Sequence, residues 1–236
     1  DNYLRWHHGE TVAQTLTTRM EIAKKSIANV VKSAPSVDFG LQVFNYDFGD
    51  LTTSGNGGRI AFGIQPRTDT SNAELLDIID NKLSSQTWTP LCETLYEAQQ
   101  YFAGKPVDYG DDDIDFGNFY SKNIPPQDPA IIDGSNHYKT PFNACSSKAF
   151  VILITDGIPS FDNAADSKIE ALTTIDDGKT VNFNGDKFAG NYLAAVAEWM
   201  NENDLNTSLP GKQTVSTYTI GFSEGADDAA PLLKET

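Results

Sequence analysis

Residues 150–157 read FVILITDG and join six apolar or β-branched residues to a carboxylate and a glycine that follow at once. A run that is apolar at successive positions is typical of a parallel strand that is buried on both faces. In such sheets ligands bind at the carboxyl ends of the strands. Asp156 therefore occupies a position where a functional residue is expected, and Gly157 allows a sharp turn after it. The alternative is that Asp156 only caps that turn.

Length and charge narrow the possible classes of protein. The 236 residues fit one α/β domain with an insertion better than two full domains. With 33 acidic and 17 basic residues, the formal net charge is −16. This charge repels phosphate, which argues against nucleic acid and anionic membranes as partners. It favours cations and basic protein surfaces, and no apolar run is long enough to span a bilayer.

Helix and strand patterns alternate along the chain. Helical periodicity occurs at 18–31, 71–83, 90–103, 166–172, 191–203 and from 231 onward. Strand patterns occur at 39–48, 59–65, 149–155 and 215–222. Thr18 is the expected cap of the first helix and Ser71 or Asn72 that of the second. A small hairpin is predicted at 181–188, around the pair Asn184-Gly185.

This order predicts the fold class. The strands at 39–48 and 59–65 are expected to form an antiparallel hairpin at a sheet edge. The rest predicts an α/β fold with a doubly wound, mostly parallel sheet that has one antiparallel edge strand. Residues 104–147 show no sustained period, so we interpret them as a long insertion before the fourth framework strand.

Two oxygen-bearing residues are candidate metal ligands. Thr89 precedes a predicted helix and Asp156 ends a predicted strand. In a doubly wound sheet both residues lie at the edge that is formed by the carboxyl ends of the strands. We call this edge, with the loops of Thr89 and Asp156, the carboxyl rim. A hydroxyl and a carboxylate oxygen there suit a hard divalent cation, Mg²⁺ above all. The alternative for Thr89 is a simple N-cap before Pro90.

Motifs of the common enzyme classes are absent from the sequence. No GxGxxG follows a strand pattern, and neither a P-loop nor a nucleophile elbow occurs. The sequence offers no evident catalytic base or histidine cluster near Asp156. We therefore expect no enzymatic activity, and a metal-assisted hydrolase at the carboxyl rim is the least favoured function.

The insertion contains a second candidate metal site. Asp111, Asp113 and Asp115 alternate roughly as the carboxylates of a calcium-binding loop do. The glycine falls at Gly117, one place later than an EF-hand loop requires, and no glutamate closes the loop. A solvated acidic loop is the favoured alternative to bound calcium.

The two cysteines, Cys92 and Cys145, have no assigned pairing. Cys92 lies in the first turn of a helix near the carboxyl rim, whereas Cys145 precedes a strand that rises about 3.3 Å per residue toward it. The strand alone separates the thiols by roughly 20 Å, beyond the reach of a disulfide. A mutual bond would require the insertion to fold back over the rim, and partners elsewhere remain open.

Aromatic residues of the insertion allow two interpretations. They supply contact area for a partner, or they form a satellite core under a long loop, which is favoured for most of them. The residues are Tyr109, Phe116, Phe119, Tyr120, Tyr138 and Phe142.

The order of five segments resembles that of a von Willebrand factor A-type domain. These segments are TRMEIAKKSI (18–27), FGLQVFNYDF (39–48), TPLCETLYEAQQYF (89–102), FVILITDGIPS (150–160) and YTIGF (218–222). Three further features make the resemblance more specific: NYLRW (2–6), TPLCETLYEA (89–98) and an insertion that closes with a cysteine. They resemble the N-terminal domain of PilY-type proteins, which are bacterial type IV pilus biogenesis factors and tip adhesins.

The resemblance implies a metal-ion-dependent adhesion site built from three loops. Thr89 matches the second loop and Asp156 the third, while the Asp-x-Ser-x-Ser of the first loop does not occur here. The family's first, central strand is also missing, and we expect it upstream of Asp1. The chain also stops at the start of its last predicted helix, so we expect residues 1–236 to be one incomplete domain. A bound cation, Mg²⁺ or else Mn²⁺ or Ca²⁺, is contingent on that upstream loop.

The resemblance also implies a function. We expect a non-enzymatic adhesion and assembly module of a type IV pilus tip protein, exported through the periplasm to the cell surface. Its expected partners are minor pilins or a host surface receptor. The alternative is a structural scaffold with a vacated metal site.

Overall fold

The computed structural model describes residues 18–45, 56–85, 88–111, 125–176, 179–183, 185–222 and 224–236. The α-helices in these ranges are α1 (Arg19–Ser33), α2 (Asp69–Asn81), α3 (Leu91–Ala103), α4 (Asp166–Glu170), α5 (Leu193–Glu202) and α6 (Ala230–Glu235). The strands are β1 (Leu41–Phe44), β2 (Gly58–Phe62), β3 (Lys148–Thr155), β4 (Thr173–Asp176), β5 (Lys179–Asn182) and β6 (Thr214–Gly221). One-turn 3₁₀ helices lie at Pro129–Ile131 and Glu224–Ala226.

The strands of the described ranges form three two-stranded sheets. β1 and β2 pair antiparallel, as expected, and β3 and β6 pair parallel from Lys148 opposite Thr214 to Thr155 opposite Gly221. β4 and β5 form a second antiparallel hairpin. The fold is therefore α/β with both kinds of pairing. One doubly wound sheet that joins these pieces stays a prediction.

Helix α3 lies between the first two sheets. Nearly all of its residues are buried, and Leu95 belongs to the largest apolar cluster together with Leu153 of β3 and Val215 of β6. On its other side, the Nε2 of Gln42 in β1 donates to the carbonyl of Thr94 at 2.8 Å. Helix α3 therefore contacts the hairpin directly and shares one apolar core with the parallel pair, which joins the two sheets in one body.

Helices α1 and α2 form a separate apolar cluster against the hairpin. Its buried members are Ala28, Val31, Phe62, Leu75, Ile78 and Ile79. The expected capping box at Thr18 is present. The expected cap of α2 is wrong: Thr68 caps the helix, because its hydroxyl accepts from the Ser71 amide while the Ser71 hydroxyl accepts from the Thr68 amide.

Strand β3 is buried on one face only, which corrects the sequence prediction. Leu153 is 7% exposed and Thr155 4%, but Phe150 is 62% and Ile152 52% exposed. Side chains alternate across a strand, so the first pair faces the core and the second pair points away from it. No element of the described ranges covers this second face, on which Tyr218 of β6 is also exposed.

The predicted hairpin around Asn184-Gly185 is misplaced. The hairpin is formed by Thr173–Asp176 and Lys179–Asn182. In the sequence these strands lie on either side of Asp177-Gly178, a pair that favours hairpin turns as Asn-Gly does. The sequence on both sides of this pair is rich in β-branched residues, which favour strands.

Part of the insertion forms a satellite core. Tyr109 and Tyr138 are each 3% exposed and Phe142 is 5% exposed. Their rings pack on α3: Tyr138 lies edge-on to Tyr101, and Phe142 lies 5.5 Å from Phe102. All three residues are buried, but only Tyr138 lies in a satellite cluster, with Ile60, Tyr101, Val107 and Ile131. Tyr109 and Phe142 belong to the main core, so the satellite-core interpretation is confirmed for Tyr138 and wrong for the other two. The other three aromatic residues, Phe116, Phe119 and Tyr120, lie outside the described residues.

Candidate functional site

The structure brings the loops of Thr89 and Asp156 together. Asp156 follows the last residue of β3 and opens a loop that runs to Asp162. Within this loop, the amide of Ser160 donates to the carbonyl of Thr89 and the amide of Thr89 donates to the Ser160 hydroxyl, both at 3.1 Å. The two candidate ligands therefore lie on neighbouring segments of the carboxyl rim.

Thr89 does not cap helix α3. The capping position is held by Pro90, and no side chain of that position bonds the helix. Instead the buried carboxylate of Asp162 accepts from the amides of Cys92 at 2.8 Å and Glu93 at 3.2 Å. A negative charge is favourable at this end of a helix, so Asp162 performs the capping from a distant loop.

The Asp162 carboxylate is further held by the Nδ2 of Asn191 at 2.8 Å. Burial raises the pKa of Asp162 to about 7 against the effect of its hydrogen-bond donors. Sequence reasoning missed this residue, because Asp162 and the amides that it caps are about 70 residues apart and no local pattern joins them.

Two carboxylates of α3 are also buried. Glu93 accepts from the amides of Gly57 at 2.7 Å and Ala164 at 2.6 Å, so it links the β1–β2 hairpin to the loop after β3. Burial is the main cause that raises the pKa of Glu93. A signal was available for this residue and for Glu97, because two acids spaced by four fall on one face of an apolar helix.

Glu97 holds the insertion to α3. Its carboxylate accepts from the amides of Asp108, Tyr109 and Gly110 at 2.9–3.1 Å and from the hydroxyl of Tyr138 at 2.5 Å. Burial raises the pKa of Glu97 to about 7, although all four donors act in the opposite direction.

Asp156 is engaged by a cation of the protein itself. The Nη1 of Arg19, the first residue of α1, lies 3.1 Å from its Oδ2. The pair is exposed, with 57% of the arginine side chain and 46% of the aspartate side chain accessible. No local pattern in the sequence predicts this contact.

The described residues do not complete a cation site. Thr89 and Asp156 supply two oxygen ligands, whereas Mg²⁺ takes six. Across the ranges that the structure describes, no group of three or more histidine, cysteine or acidic residues is placed to hold a metal ion. The Arg19 guanidinium also faces the Asp156 carboxylate, where a cation would bind. A cation held with the help of a further loop stays a prediction.

The proposed calcium loop is described only at its beginning. Asp111 accepts from the Nδ2 of Asn136 at 2.9 Å. Asp113 and Asp115 lie outside the described residues, so calcium binding there stays a prediction. The neighbouring Asp108 pairs with Lys168 at 2.5 Å, which ties the start of the loop to α4.

Both cysteines are free thiols. Cys92 is buried in the first turn of α3, and Cys145 is exposed on the insertion. Burial raises the pKa of the Cys92 thiol well above its ordinary value, with further contributions from Asp162 and Asp166.

These features define an α/β domain whose candidate site lies where β3 ends and α3 begins. The chain belongs to the family described as the second domain of PilY1 homologs, whose model matches residues 12–235. This membership associates the protein with type IV pili, and it makes the domain a second domain where the motifs suggested an N-terminal one. Neither the curated proteins nor the solved structures gave a match. Among the described helices, none has the length and apolar character needed to cross a membrane.

Proposed function

We propose that this domain is a non-enzymatic adhesion and assembly module of a type IV pilus tip protein. The observation that carries the proposal is its membership of the PilY1 family over residues 12–235. The module would act outside the cell, at the pilus tip, after export through the periplasm. Minor pilins or a host surface receptor would be its partners.

The carboxyl rim is the proposed binding surface. The two hydrogen bonds between Thr89 and Ser160 and the cap supplied by Asp162 hold its two loops in place. A rigid site loses little conformational entropy when a partner binds. We further propose that the domain has a von Willebrand factor A-like arrangement. A loop outside the described residues would then complete a divalent-cation site with Thr89 and Asp156.

A structural scaffold is the second candidate function. The contact between Arg19 and Asp156 favours it, because the guanidinium already neutralises the carboxylate that a cation would need. In this case the pair of Arg19 and Asp156 would be a structural contact within the carboxyl rim. The domain would then serve as a scaffold without binding a cation there.

A thermal-shift experiment on the full-length protein separates the two functions. The midpoint of unfolding is measured in EDTA and with added Mg²⁺, Mn²⁺ or Ca²⁺ for the wild type, Asp156→Ala and Thr89→Val. Glu198→Gln serves as the control, since it removes an exposed carboxylate on α5, outside the two loops of the carboxyl rim. If the adhesion proposal is right, added cations raise the unfolding midpoint of the wild type and of the control variant. Asp156→Ala should abolish this rise, and Thr89→Val should reduce it.

Two results would decide against the cation site. A wild type that none of the three ions stabilises would support the scaffold. A rise that persists in Asp156→Ala would remove Asp156 from the site. Cosedimentation of the same variants with purified pili then tests whether assembly depends on the carboxyl rim.

A further inference from the structure

Three large apolar side chains lie exposed on the two loops of the carboxyl rim. Trp88 is 37% exposed, Ile158 52% and Phe161 53%. The Trp88 and Phe161 rings touch, with centroids 4.5 Å apart and planes inclined at 56°. We call these three residues the aromatic rim patch. Exposed apolar groups that cluster in this way mark contact surfaces more often than isolated ones do.

The aromatic rim patch is held on a rigid support. The reciprocal hydrogen bonds between Thr89 and Ser160 lock the two loops together between Trp88 and Phe161. The next residue, Asp162, is buried and bonded to the start of α3. The patch is therefore preorganised, and a partner would not have to order these loops.

Phe161 adopts a backbone conformation that a phenylalanine disfavours. Its φ is +52°, in the left-handed region that glycine and asparagine adopt more readily. More than half of the residue is exposed, so burial of the ring does little to offset this strain. Stability alone does not account for a phenylalanine here. Strained residues of this kind cluster at functional surfaces.

The surroundings of the patch are acidic. Asp156 opens the same loop but is paired with Arg19, so it adds little net charge. The Glu224–Ala226 turn lies directly against Asp156: a Cβ added to Gly225 would stand 2.4 Å from the Asp156 carbonyl oxygen. Exposed Asp227 and Asp228 follow this turn. The whole chain carries a net charge of −16, so the field at the patch favours a basic partner.

We propose that the aromatic rim patch docks a protein segment in which an aliphatic or aromatic side chain is flanked by lysine or arginine. The apolar side chain would pack on Trp88 and Phe161, and the basic residues would face Glu224 and Asp227. A cation above the Trp88 ring adds a further attraction. This docking requires no bound metal, so it can be tested independently of the cation site.

Defined peptides test the proposal by fluorescence anisotropy in EDTA. The probe is a labelled 12-residue peptide with a Lys-Leu-Phe-Lys core. One control peptide replaces Leu and Phe by Ser, and the other replaces both Lys by Glu. We expect the probe to bind at least about tenfold more tightly than either control, with an affinity that falls as salt is added.

Matched variants connect the binding to the patch. Trp88→Ala and Phe161→Asn should each weaken binding of the probe about tenfold or more. Asparagine tolerates positive φ, so Phe161→Asn removes the ring without adding backbone strain. Val37→Ser is the control: it also removes an exposed apolar side chain, but beyond the end of α1 opposite to Arg19.

Each contrary result overturns the proposal. Equal binding of the Ser-substituted peptide would show a general charge attraction without an apolar contact. Unchanged binding by Phe161→Asn, with its fold verified by circular dichroism, would place the contact elsewhere. Equal losses in Val37→Ser would show that the patch is not specific.

Discussion

The guanidinium of Arg19 and the carboxylate of Asp156 meet at 3.1 Å although 137 positions separate them in the chain. The contact joins the first residue of α1 to the residue that follows β3. It supplies positive charge at the carboxylate that the sequence assigns to the cation site of the carboxyl rim. Arg19 and a divalent ion would therefore compete for Asp156.

Substitution of Arg19 by glutamine should strengthen cation binding at the carboxyl rim of the full-length protein. Removal of the competing charge is expected to raise the apparent affinity for Mn²⁺ about fivefold. The pair is exposed, so the free energy of unfolding without metal should fall by less than about 1 kcal/mol. Mn²⁺ titrations followed by thermal shift measure the first effect and urea unfolding the second. Lys25→Gln, which removes a charge from the same helix, controls for net charge; equal effects of both variants would contradict the competition.

Substitution of Asp162 by alanine should destabilise the domain strongly. The amides of Cys92 and Glu93 would lose their buried acceptor, and Asn191 would lose a partner. Unsatisfied buried groups of this kind cost about 3 kcal/mol in total. Urea unfolding at neutral pH measures this cost, and the exposed-site variant Asp228→Asn should stay within about 0.5 kcal/mol of the wild type. A comparable stability of the two variants would disprove the capping role.

The stability of the domain should decrease as the pH rises from about 5 to about 7.5. Burial raises the pKa of Glu97 from 4.5, and that of Asp162 from 3.8, to about 7. Between these values the folded chain binds protons more tightly than the unfolded chain. Each group's contribution is therefore complete below its unfolded pKa and is lost as the pH rises through 7.

Glu97→Gln provides the test of this pH dependence. Because glutamine does not titrate, the loss of unfolding free energy between pH 5 and 7.5 should become smaller by up to about 3 kcal/mol. Urea titrations at several pH values give the slope. The exposed carboxylate of Glu198 on α5 offers the control, Glu198→Gln, whose slope should match the wild type. A slope that Glu97→Gln leaves intact would assign the pH dependence to other groups.

The two thiols should differ widely in reactivity. Cys145 is exposed, whereas Cys92 is buried and burial raises its pKa. Since the thiolate is the reactive form, iodoacetamide at pH 8 should label Cys145 at least about 100 times faster than Cys92. Mass spectrometry of digests follows both rates, and denaturant should equalise them. Fast labelling of Cys92 in the folded Cys145→Ser variant would show that α3 opens at this end.

Features set by neighbouring residues could be predicted from the sequence. The capping box of Thr18 and Glu21 is one, because its donors and acceptors lie within one helical turn. The β1–β2 hairpin and the strand at Lys148–Thr155 are others. Topology alone also placed the loops of Thr89 and Asp156 at one rim, since the end of a parallel strand and the start of a neighbouring helix share an edge.

Features set by distant residues could not be predicted. Asp162 caps a helix whose bonded amide, that of Cys92, lies 70 residues earlier. No pattern in either segment predicts a contact with the other. The contact of Arg19 with Asp156 has the same character. The exposure of Phe150 was not predicted for another reason. An apolar run indicates that both faces of a strand can be buried, but it does not identify the elements that cover them. The small hairpin was placed too late in the chain, because the sequence contains two turn-favouring pairs, Asp177-Gly178 and Asn184-Gly185, and local composition does not choose between them.

The four hydrogen bonds on Glu97 have a mechanical consequence. The main chain at 108–110 and the Tyr138 hydroxyl attach to one carboxylate, so tension applied to the insertion loads them in parallel rather than one after another. From Glu97 the pull passes along α3 to the hairpin that this helix touches and to the apolar core that it shares with β3 and β6. An appendage under traction would thus transmit force through the interior of the domain, and this attachment would open only when its four bonds break together.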